Sequence, residues 1–176
     1  MRTKVLPLLL LTITISIFSC TRKAYTNYGS KVVLNKNTPK YPDAYIQYQS
    51  SLFLLEKAKD EAKVQMWDSA RLQERISNIP KGGYIILKTI SITQGAAKTN
   101  YFEILVTDSA GNKILREKGS ENSVPDSTYS STLNTLTWSD TDFFRVDTPM
   151  NAPFKVFVFN TLSNTRGEFD IYPNIE

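Results

Sequence analysis

The sequence predicts an α+β fold: an N-terminal amphipathic helical segment over residues 45–79, then an antiparallel β-sandwich of six to seven strands over residues 80–176. Three observations carry this. Leu52, Leu55, Ala62, Met66 and Ile76 recur near helical spacing through Tyr45–Ile79, a stretch with neither glycine nor proline. From Tyr84 the apolar period drops to two. Turn signals then recur at short intervals with no helical pattern between strands, which argues for antiparallel rather than parallel pairing.

In the helical segment, Ala58 and Ala70 join the apolar stripe, while Lys57, Asp60, Glu61, Lys63, Asp68 and Glu74 populate the other side. One such stripe is the usual mark of a helix packed on its own core. A bend near Trp67 would let Asp68 or Ser69 cap a second helix. Pro80-Lys81-Gly82-Gly83 stops it, because proline cannot continue a helix and glycine tolerates positive φ.

The strands follow in order. Tyr84–Thr93 alternates, and its start reads as buried on both sides. Tyr101–Thr107 sets Phe102, Ile104 and Val106 on one face. Asp108–Asn112, a polar turn with glycine, joins it to Lys113–Glu117 as a hairpin. Residues 118–131 read as a loop. Ser131–Ser139 is β-prone and Phe143–Val146 is a short apolar segment. Phe154–Asn160 is apolar on both faces and therefore central. Residues 163–167 turn it back into Glu168–Tyr172.

The first twenty residues belong to no part of that fold. Arg2 and Lys4 precede an apolar run, Val5–Phe18, and a small residue precedes Cys20. That order is the pattern of a secretory signal, and the run falls short of the roughly 20 apolar residues that span a bilayer. Ile17-Phe18-Ser19-Cys20 resembles the lipobox of bacterial lipoproteins. The resemblance implies cleavage after residue 19, diacylglyceryl transfer to the Cys20 sulfur and acylation of the new amino terminus. Two or three acyl chains hold durably where one holds weakly, at about 0.8 kcal/mol per buried methylene. Thr21, where the best-known sorting scheme would place Asp to retain a lipoprotein in the inner membrane, points to the outer membrane. The absence of an acidic run after Cys20 favours its periplasmic face.

Residues 20–44 read as a basic tether rich in turn formers, with Lys31–Leu34 a short strand at most. The net charge of +4 divides unevenly. Residues 20–40 hold five cations and no acid, whereas residues 41–176 hold 14 Lys+Arg against 17 Asp+Glu, a net −3. Positive charge beside the anchor suits anionic headgroups, and a domain that is not itself basic is not expected to bind nucleic acid. The chain has no histidine, which excludes Ser-His-Asp chemistry and the ordinary histidine zinc sites. Cys20 is the one cysteine, so no disulfide forms within the chain. Pro80–Gly83 lacks the spacing of a phosphate-binding loop, and no cofactor is expected.

The expectation is a membrane-anchored envelope lipoprotein with a non-enzymatic module that binds a protein partner or a glycan. Trp138, Phe144, Arg145 and Arg166 are the candidate surface for that contact, as aromatics and arginines near strand ends. Two alternatives stand beside it. Glu168 and Asp170 share one strand face and would be the pair of a carboxylate-dependent hydrolase acting on cell-wall glycan. Asp140 and Asp142, with Asp147, would be oxygen ligands of a calcium-dependent binding module.

Overall fold

The computed structural model describes residues 24–27, 30–34, 44–131 and 134–173. The lipobox residues Ile17–Cys20, with Arg22, Lys23, Lys36 and Lys40 of the basic stretch, lie outside the described residues. The described chain is mostly antiparallel β-structure in two sheets. One has six strands: β1 (Ala24–Asn27), β2 (Ser30–Leu34), β10 (Thr165–Tyr172), β9 (Phe154–Asn160), β5 (Phe102–Thr107) and β6 (Lys113–Lys118), in that spatial order. The other has four: β3 (Ala44–Gln49), β4 (Tyr84–Ser91), β8 (Thr135–Arg145) and β7 (Asp126–Ser130).

The two sheets bury their facing sides against each other. Val32, Ile104, Val156, Phe169 and Ile171 come from the larger sheet, and Ile46, Tyr48, Ile85, Leu87 and Phe144 from the smaller. At about 25 cal/mol per Å² of apolar surface, side chains of this size each contribute about 1.5–3 kcal/mol when fully buried. Phe154–Asn160 is interior to its sheet, between β10 and β5, as its two apolar faces require.

The structure differs from the sequence reading before residue 80. The supposed tether contains β1 and β2, and β2 pairs with β10, where Val32 opposes Ile171. The helix begins at Ser51, not Tyr45: Ala44–Gln49 is strand β3, with Ala44, Ile46 and Tyr48 buried and Tyr45 exposed. The period there is two. The absence of a helix breaker permits a helix without requiring one, and alternation on a half-buried surface wins. Further along, Asp126–Ser130 pairs with β8 instead of forming loop, and the two segments read separately around residue 140 are one strand, Thr135–Arg145.

Two helices, α1 (Ser51–Val64) and α2 (Ser69–Ser77), are therefore an insertion between the neighbouring strands β3 and β4. Ser50 Oγ accepts the Phe53 N–H at 3.1 Å and Asp68 Oδ1 accepts the Arg71 N–H at 2.8 Å, so each helix starts on a side-chain cap. The expected apolar stripe is only partly used. Ala58 and Ala62 are buried, but Leu52 is 63% and Met66 91% exposed, and α2 buries no residue fully. No helix among the described residues is long and apolar enough to cross a membrane.

The base of the insertion is tied to the sheet by hydrogen bonds. Gly82 N–H donates to the Val146 carbonyl at 2.8 Å, and Val146 N–H donates to the Gly83 carbonyl at 3.0 Å. The buried Tyr48 hydroxyl donates to the Gly82 carbonyl at 2.8 Å. Gly83 has φ +81°, and a Cβ there would lie 2.0 Å from the Gln49 carbonyl oxygen, so only glycine fits.

Candidate functional site

On the smaller sheet, the face turned away from the core carries a regular grid. Gln47, Ile86 and Phe143 lie directly opposite one another across β3, β4 and β8. One row on are Gln49 and Tyr84, and on the other side Lys88 and Thr141. Phe143 and Tyr84 meet edge to face, with ring centres 6.5 Å apart at 90°.

The α1–α2 hairpin does not close on this grid. Between them is a cleft of about 520 Å³, within the roughly 300–1,000 Å³ usual for small-molecule sites. Leu54 and Ala58 from α1 and Ile79 after α2 form its apolar roof. Lys57, Glu61, Arg75 and Asn78 supply the polar part of that wall. Lys57 lies 3.8 Å from Glu61, whereas neither Arg75 nor Lys88 has an ion-pair partner among the described residues. Gln49 is buried, at 9% exposure, and lines the cleft. The arrangement can hold a ligand with an apolar face, several hydrogen-bonding groups and negative charge.

The structure does not bring the four sequence-predicted surface residues together. Phe144 is a correction: it is 2% exposed, in the core, and the ring facing solvent is its neighbour Phe143, at 59%. Trp138 is half-buried and opposes Ser91 and Ser127 at the far end of the smaller sheet. Arg145 opposes Tyr84 beside the cleft, but its guanidinium donates to Asp147 at 2.8 Å. Arg166 belongs to the other sheet, where it stacks 4.3 Å from the Phe157 ring centre with Glu168 4.0 Å away.

The carboxylates behind the alternatives are engaged. Lys155 bridges the hydrolase pair, with Nζ 2.7 Å from Glu168 and 3.8 Å from Asp170. Its hydrogen bond to Glu168 raises the Lys155 pKa, which keeps the cation in place. Asp140 is buried and accepts the Thr99 N–H at 2.9 Å, the Thr99 hydroxyl at 3.2 Å and the Thr141 N–H at 2.9 Å. It fastens the β4–β5 connection to β8. Asp142 accepts the Ser120 and Phe143 N–H groups, and Asp147 takes Arg145.

Sequence reading missed the cleft residues because they come from five separate elements, β3, α1, α2, β4 and β8. The one available signal was Phe143 next to Phe144 in an alternating strand, where only one ring can face the core. The chain matches no family model, no curated protein and no solved structure.

Proposed function

We propose that this chain is a membrane-anchored envelope lipoprotein, held by acyl chains on Cys20 to the periplasmic face of the outer membrane. Its β-sandwich is a non-enzymatic module that binds a protein partner or a glycan, and the cleft beneath the α1–α2 hairpin is where it binds. The carrying observation is that cleft: about 520 Å³ left open between two faces of one chain, with two cations on its walls, Arg75 and Lys88, that have no ion-pair partner among the described residues. The Lys155 bridge speaks against the hydrolase reading, since a catalytic pair needs one carboxyl protonated and one free.

Two experiments in the native host test this reading. Cys20→Ser is expected to leave the protein uncleaved or released from membranes; a variant that fractionates and migrates like the parent overturns the anchor. A photo-crosslinking residue at Lys88 is expected to give a defined adduct that the same residue at exposed Glu117 does not. Identical adduct patterns from both positions overturn the cleft as the binding site.

A further inference from the structure

Resting on that reading, we infer that the ligand of the cleft is a carboxylate-bearing saccharide. Charge is the first argument. Residues 41–176 carry a net −3, yet the cleft collects Lys57, Arg75 and Lys88 against Glu61 alone, a local +2 within an acidic domain. With Lys57 set against Glu61, the excess rests on Arg75 from α2 and Lys88 from β4, on opposite walls. An arginine fork engages a carboxylate bidentately, and such charge-assisted bonds are about twice as strong as neutral ones.

The rest of the lining selects among anions. Gln47, Gln49 and Asn78 offer carboxamides, each a donor and an acceptor, which suits hydroxyl groups better than bare charge. Phe143 presents an aromatic surface that is 59% exposed, braced edge-on by Tyr84. A pyranose ring has an apolar C–H face and a polar hydroxyl rim, and so matches an aromatic floor with an amide border. A simple inorganic anion would leave Phe143 and Leu54 uncovered, and a fatty acid would leave the carboxamides unmet.

The test uses the isotope-labelled full chain in detergent micelles, titrated with N-acetylmuramic acid and glucuronic acid beside their neutral counterparts N-acetylglucosamine and glucose. Backbone amide shifts locate binding. The acidic sugars are expected to move Ile86, Asn78 and Phe143, and to bind at least about tenfold more tightly than the neutral ones. Arg75→Gln and Lys88→Gln should each weaken the acidic sugars about tenfold more than the neutral ones and leave the thermal midpoint unchanged. Equal binding of both classes at the cleft, or variants without effect, overturns the acidic class while leaving the cleft as a binding site. If no sugar moves the cleft amides, the saccharide inference falls. A crosslink from Lys88 to a protein would then show that the broader reading survives it.

Discussion

Replacing Tyr48 by phenylalanine removes one hydroxyl and should report on how the helical insertion is anchored. The ring is buried at 1% exposure and packs edge-on against Phe154, with centres 5.1 Å apart, so its apolar contacts survive the change. What goes is the 2.8 Å hydrogen bond to the Gly82 carbonyl, at the residue where the chain re-enters the sheet. Stranding a buried acceptor costs about 1–3 kcal/mol, which for a domain of this size lowers the melting midpoint by roughly 4–8 °C at about 2 kcal/mol. pH supplies an internal control. Burial pushes the Tyr48 pKa from 10.0 up to about 12. The unfolded chain therefore loses this proton first: the contribution is complete below pH 10 and is lost as pH climbs through 12. The parent should shed about 1.4 kcal/mol per pH unit across that window through this residue. Tyr48→Phe lacks that component. Urea unfolding of both from pH 8 to pH 12 should thus show a gap of about 2 kcal/mol that closes with rising pH. A gap that stays constant from pH 9 to pH 12 would refute the reasoning, as would no gap at pH 8.

Two further outcomes follow from the polar anchor at Asp140 and the turn at Gly83. Asp140→Ala strands the Thr99 and Thr141 N–H groups and should cost about 2–5 kcal/mol in urea unfolding, while calcium and chelator leave the parent's midpoint where it was; a calcium-dependent midpoint would return Asp140 to the metal reading. Gly83→Ala sets a methyl group 2.0 Å from the Gln49 carbonyl oxygen at a positive φ, and should cost about 3 kcal/mol or more; thermal unfolding indistinguishable from the parent would mean the turn can be rebuilt.

Most of the antiparallel strands after residue 80 were legible because an apolar run ends at a turn former; Asp126–Ser130, polar or exposed throughout, was not. The strands read as Lys113–Glu117 and Glu168–Tyr172 needed nothing beyond their neighbours, although the second starts earlier than read, at Thr165. Ala44–Gln49 was not legible as a strand because the absence of a breaker ran it into the helix that follows, and its pairing partner β4 lies 35 residues or more further on. β2 was reduced to an appendage for the same reason. Val32 has its counterpart, Ile171, more than a hundred residues away, and no local pattern announces such a pairing. Asp140 read as a candidate ligand because an acid in a polar run looks the same whether it meets an ion or a buried N–H. Only the position of Thr99, forty-one residues earlier, decides between them.

The cleft depends on a single step of register. Side chains alternate across a strand, so moving β8 by one residue would put Phe143 in the core and Phe144 beneath the helices. What fixes the choice is Asp140, four residues before Phe144 and on the same face, whose carboxylate takes both the N–H and the hydroxyl of Thr99 on the buried side. Slipping the strand would carry that charge to the outer face, leave the Thr99 N–H without its acceptor and turn Thr141 inward. The polar anchor in the middle of β8 thus determines which aromatic ring is exposed near its end. The aromatic floor of the cleft follows from an aspartate that never touches it.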